Sequence, residues 1–341
     1  MVNYFVWVHS FNGLGGQASV TRGVVSMLLN GGLNVSILEY GLPEKAKVHL
    51  FLKHFLKLIF SNAAIYSPIS RSFWGAFRDI PIYVLAILGR TLVVHIHGSD
   101  FNQLFKHRVL GSFLSYVLRK KTQIIVTNLR SKNELMEFGC TNVVCIENYF
   151  PNKYLMVKRK KKKSNTFFWN SNIIATKGIF EFLEAFVIFS NHTNATLRIS
   201  GEVLGCSIMS KKDTQKRFNT FLSNSNISYV GKLTRLETLD ELAITEVCVL
   251  TSYGESQPLA IIDGMCMGCT IFCSDLPELR EMTNQYNRVH YTKANSVDIL
   301  ENLKNVTEFI NTNTDFGHEF ALRRFSEDLY RDKLLTTLIK K

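Results

Sequence analysis

Short apolar runs alternate with segments of helical periodicity along most of the chain. In the first half the pattern predicts strands at 2–9, 34–39, 91–96, 123–126 and 142–146, with helices at 18–29, 80–88, 101–118 and 132–138. The second half restarts the alternation. Strands are predicted at 166–169, 196–200, 227–230, 247–250 and 270–273, and helices at 179–189, 238–243, 259–267 and 318–339. Strands that alternate with helices pair in parallel through right-handed crossovers, so the chain reads as two α/β halves facing a cleft. Between them stands KRKKKK, Lys158 to Lys163, six adjacent positive charges that read as a solvated connection.

Composition narrows the class. A chain of 341 residues with 46% hydrophobic and 20% charged residues forms about two cores and is not disordered. Seven cysteines scattered over such a length point to a reducing cytoplasm. The amino-terminal stretch reads as a first strand without a basic leader, and no apolar run approaches the ~20 residues of a spanning helix. The net charge of +12 asks for an anionic partner. Residues 48–60, VHLFLKHFLKLIF, read either as a helix lying on a bilayer or as a core helix whose wet edge is Lys53 and Lys57. The charge run is too short to specify a nucleic acid.

The richest chemistry lies between Ser252 and Glu281. Glu255 follows an apolar strand, and Asp263 comes eight positions later in the first turns of a helix. Carboxylates at a strand's carboxyl end suit hydroxyls, while the free N–H groups of the helix start suit a phosphate. Lys177-Gly178 opens another helix, where a lysine reaches a diphosphate or merely sits in a turn. His97-Gly98 ends strand 91–96, with His95 two positions earlier on the same face. Gly13 to Ala18 satisfies G-x-G-x-x-A, and Glu39 ends the second strand about where a ribose-binding acid lies. That combination supports a nicotinamide-dependent reading, although four residues separate the first strand from Gly13. Cys266 and Cys269 read as packing residues under a helix.

Together these motifs resemble the retaining glycosyltransferases of family 4. Glu255 and Asp263-Gly-Met-Cys-x-Gly268 are similar to the family's two-acid motif, with Asp for the second Glu. Lys177-Gly178, the loop at Gly15 and Gly16, and His97-Gly98 match its other elements, while Asn172 stands where the family often has arginine. The resemblance implies the GT-B fold, with two Rossmann-like domains facing a cleft and a C-terminal helix crossing back. It implies an acceptor-binding domain at 1–157, a basic linker at 158–164, a nucleotide-sugar-binding domain at 165–317, and the returning helix at 318–341. Catalytic roles fall to Glu255, His97 and Lys177. Donor contacts fall to Asn172, Lys177, Glu255, Ser256, Gln257, Leu259 and Asp263, and the acceptor side to Gly15 and Gly16. No cofactor or metal is implied. The expected activity is transfer of a sugar, with retention, from a nucleotide-sugar donor to a lipid-linked saccharide. The expected setting is surface polysaccharide assembly (O-antigen, capsule or lipopolysaccharide) on the cytoplasmic face of the membrane, where anionic lipid is the partner and no specific nucleic acid is involved. The alternatives are an NAD(P)-dependent Rossmann oxidoreductase and a catalytically weak glycosyltransferase homologue.

Overall fold

The computed structural model describes residues 3–9, 11–13, 15–39, 47–69, 73–98, 105, 107–120, 122–310 and 316–339. The chain divides into two units, Met1–Asn148 with Asp328–Lys341, and Tyr149–Glu327. The first holds strands β1 (Asn3–Val8), β2 (Asn34–Glu39), β3 (Ala64–Pro68), β4 (Leu92–Ile96), β5 (Thr122–Val126) and β6 (Val143–Cys145). All pair in parallel, in the order β2-β1-β3-β4-β5-β6. The second holds β7 (Lys163–Asn170), β8 (Thr196–Ser200), β9 (Ile227–Tyr229), β10 (Thr245–Leu250), β11 (Thr270–Ser274) and β12 (Val289–Thr292). These are also parallel, in the order β12-β11-β10-β7-β8-β9.

Each sheet is buried on both faces, which is why its central strands read as continuous apolar runs. Phe167 and Trp169 of β7 enter one core and Phe168 enters the core on the opposite face. Strand order reverses between β1 and β3 in the first sheet and between β7 and β10 in the second. Ligands of open α/β sheets bind at the strands' carboxyl ends beside such a reversal.

Among the differences from the sequence pattern, three bear most on how the units are built. Strand β3 is fully buried at the centre of its sheet, yet it is five residues long, shows no alternation and ends in proline. Second, the basic run is exposed at every position but Lys162, which is half-buried, and it does not mark the boundary between the units. The unit boundary lies at Asn148/Tyr149, Lys163 begins β7, and Lys162 Nζ donates to Leu242 O at 2.6 Å and to Met267 O at 2.8 Å. One ammonium thus satisfies two carbonyls left over where elements end. Third, the C-terminal helix is two helices, Phe316–Arg324 and Glu327–Ile339. The break sits where Phe150 bridges Ser326 and its N–H donates to Phe325 O at 2.8 Å. Ala321 and Phe325 belong to a core of the second unit. Residues from Asp328 onward return to the first, where the Tyr4 hydroxyl donates to Leu338 O at 2.7 Å.

Helix Leu259–Cys266 approaches its sheet closely. A Cβ on Gly264 would lie 2.9 Å from Cys248 Cβ and Sγ and 3.0 Å from Ile271 Cδ1, so the small residues here set the helix depth. Gly264→Ala is expected to destabilise the protein by about 1–3 kcal/mol through overpacking, read as a lower Tm in calorimetry.

Candidate functional site

The loops after β7 and β10 meet at the reversal of the second sheet. After β7 the chain makes a 3₁₀ turn, Ala175–Lys177, then Gly178 at φ +69° before helix Ile179–Ser190. A Cβ on Gly178 would lie 2.0 Å from Thr251 O, so only glycine lets the two loops approach this closely. The contact is stitched by Thr251 Oγ1 donating to Gly178 O at 3.0 Å and by Tyr253 N–H donating to Thr176 O at 3.2 Å. Across it, Lys177 Nζ lies 2.5 Å from Glu255 Oε1. The carboxylate is 8% exposed and the lysine side chain 28%. The two charges neutralise one another, the carboxylate buried and the lysine partly exposed.

Helix Leu259–Cys266 begins four residues beyond Glu255, with Pro258 at its N-cap and no side-chain cap. Its first N–H groups, at Leu259 and Ala260, have no acceptor within the helix and form an anion-binding end. Ser256 and Gln257 are buried beside it. The second sheet therefore brings Lys177, Glu255, Ser256, Gln257 and Leu259 onto two stitched loops. Asn172 is exposed, and its Oδ1 accepts from Glu202 N–H at 3.3 Å, joining the loops after β7 and β8.

Asp263 is buried, and its carboxylate is already engaged. Arg235 binds it bidentately, Nη2 to Oδ1 at 2.6 Å and Nε to Oδ2 at 3.1 Å. The guanidinium also donates to Tyr149 O at 3.5 Å and sits over the rings of Phe150 and Tyr154. Burial raises the Asp263 carboxyl while Arg235 pulls it back down. Burial also works against the Arg235 cation, but the Asp263 charge and hydrogen bonds outweigh it and hold the guanidinium protonated. Arg235 escaped the sequence reading because it opens helix Arg235–Ile244, 28 positions from its partner. The one local oddity was a cation in a first turn, where the helix dipole favours acids.

In the first unit, His97 follows the end of β4 and is partly exposed, while His95 is fully buried. The Tyr66 hydroxyl and His95 Nδ1 lie 2.6 Å apart, and the two imidazoles stack with centroids 3.9 Å apart. Burial, and then His97, push His95 well below the ordinary histidine value, so it serves as a neutral shelf for His97. Gly15 is the N-cap of helix Gly16–Asn30. Glu39 Oε1 accepts from Phe11 N–H at 2.9 Å, and Arg22 donates to Phe11 O and Gly13 O. The acid that a dinucleotide site would turn to a ribose is spent on bracing this loop. Burial raises the thiols of Cys248, Cys266, Cys269 and Cys273, which suits packing and opposes nucleophilic use.

Two measurements check this geometry. Arg235→Met leaves a buried carboxylate without its cation and is expected to cost about 3–5 kcal/mol in denaturant unfolding, much of it recovered in Arg235→Met/Asp263→Leu. His95 binds a proton less readily folded than unfolded, so stability should hold above its unfolded value of 6.5 and decline below it. Tm is expected to drop between pH 7 and about pH 5.5, with the drop reduced in His95→Gln.

Residues 153–317 match the family model described as Glycosyl transferases group 1. No curated protein matches the sequence. Among solved structures, HepE from Anabaena in complex with UDP-glucose is similar at TM-score 0.72 and 12% identity, covering 99% of this chain and 100% of that one. A glycosyltransferase from Rickettsia africae is similar at TM-score 0.72 and 13% identity, covering 100% and 99%. The lipopolysaccharide outer core galactosyltransferase WaaB, in its apo form, is similar at TM-score 0.66 and 13% identity, covering 99% of both chains. Those likenesses establish the fold. The chain has the GT-B fold, and its residues 153–317 carry the pattern of the group 1 glycosyl transferases.

Proposed function

We propose that the protein is a metal-independent, retaining glycosyltransferase of family 4 that takes its sugar from a nucleotide-sugar donor. The observation that carries this reading is the Lys177–Glu255 pair beside an uncapped helix start at the strand-order reversal. A cation and free amides suit a diphosphate, and the adjacent carboxylate suits sugar hydroxyls. The binding of UDP-glucose by HepE, a structural relative, supports the same class of donor.

As the anomeric C–O bond breaks, its electron pair passes to the diphosphate. Lys177 and the Leu259 and Ala260 amides stabilise the charge that develops there. Glu255, released from Lys177, holds the sugar hydroxyls and supports positive charge at the anomeric carbon. Configuration is retained when the acceptor hydroxyl bonds to that carbon on the face the diphosphate leaves, its proton passing to a departing phosphate oxygen. The ribose role assigned to Asp263 requires that its buried, bidentate pair with Arg235 open, since both carboxylate oxygens are engaged there. To His97 in the first unit we assign the transferring-sugar role, and to the loop of Gly15 and Gly16 the acceptor role. The acceptor is a lipid-linked saccharide at the cytoplasmic face of the membrane, in surface polysaccharide assembly.

A nucleotide-sugar panel with a lipid-linked acceptor, followed by nucleoside diphosphate release, tests the reading. Glu255→Ala and Lys177→Ala should each lower the rate on the order of 10²-fold or more. Full activity in both variants would remove the site assignment.

A further inference from the structure

Five helices pack on one face of the first sheet. One is the acid-bearing Leu129–Glu137, whose Glu134 pairs with Arg130. The four that precede it are Lys47–Ile59, Phe73–Arg78, Ile80–Ile87 and Arg108–Lys120. Their inward side chains, among them Leu58, Ala76, Ile82 and Leu114, join a single core with Trp7, Ile65 and Val94 of the strands. Their outward side is unusually apolar. Phe60 is 84% exposed, Trp74 77%, Leu88 77% and Val109 83%, with Leu52, Leu56 and Phe77 each more than half exposed. A water-facing helix layer ordinarily carries mixed charges there, and an exposed apolar set of this extent marks an interaction surface.

Charge indicates what covers it. Residues 47–120 contain ten lysines and arginines and two acids, Asp79 and Asp100. Asp79 is buried and accepts from Trp7 Nε1 at 3.1 Å, so it offers no negative charge to the surface. None of the four helices contains an acidic residue. Lys53, Lys57 and Arg108 are exposed among the apolar side chains. The two signals together, large apolar tips and cations without acids, match an anionic bilayer, whose headgroups take the charges and whose acyl boundary takes the rings. A protein partner would ordinarily meet a mixed-charge rim.

We propose that this four-helix face is a membrane-docking surface for anionic lipid, with Phe60, Trp74, Leu88 and Val109 inserting at the acyl boundary and Lys53, Lys57 and Arg108 meeting headgroups. It deepens the membrane clause of the proposed function. It extends the lipid contact beyond helix Lys47–Ile59, and its test involves no sugar transfer, so either can fail alone.

Trp74 is a built-in reporter. The chain has three tryptophans, and Trp7 and Trp169 are fully buried. Adding phosphatidylglycerol vesicles should shift the Trp74 emission to the blue, and brominated acyl chains should quench it. Pure phosphatidylcholine vesicles should do neither. Trp74→Phe should abolish the response, and Lys53→Glu/Lys57→Glu should weaken partitioning by at least about tenfold at unchanged Tm. Phe60→Ser/Leu88→Ser provides a second, charge-neutral test and should weaken binding while keeping its salt dependence. An emission unchanged by anionic vesicles would overturn the proposal. So would a blue shift that grows with protein concentration without lipid, which would place a second copy of the chain on this face.

Discussion

The Lys177–Glu255 ion pair is the interaction on which the chemistry proposed for the second unit depends. It exists because the sheet reverses its strand order between β7 and β10, which brings two carboxyl-end loops side by side. Gly178 lets those loops touch, and Thr251 and Tyr253 lock them. Each charge offsets part of the other's cost of burial, with Glu255 buried and the Lys177 side chain 28% exposed. A donor that offers the lysine a diphosphate and the carboxylate hydroxyls replaces one set of charge-assisted bonds with two.

A second buried pair, Arg235–Asp263, has a different character. It is more deeply enclosed, bidentate, and packed against the aromatic residues that follow the unit boundary. The second acid of the motif is thereby tied to the start of the second unit as well as to the helix that carries it.

Much of this was legible in the sequence. The strand-helix alternation, an acid just past a strand end, a second acid in the following helix and the Lys-Gly helix start are local patterns, and the structure places each of these residues on the element the sequence put it on. What escaped depends on distance in the chain. Strand β3 is recognisable only once its buried neighbours are in place, and β12 (Val289–Thr292) is a short, half-buried edge strand. Within the exposed Lys158–Lys163 run, Lys162 turns inward only because the carbonyls of Leu242 and Met267 are brought to it. Arg235 finds Asp263 only through the packing of two helices, and the break in the C-terminal helix follows from Phe325 and Leu338 belonging to different units.

The central claim is that the loops after β7 and β10 hold the donor's diphosphate. A crystal structure of the protein with a nucleoside diphosphate bound tests it directly. The account places the phosphates within hydrogen-bonding distance of Lys177 Nζ and the Leu259 and Ala260 amides, with the Lys177–Glu255 contact opened. Phosphates bound instead at the Gly13 to Gly16 loop, with that ion pair intact, would contradict it.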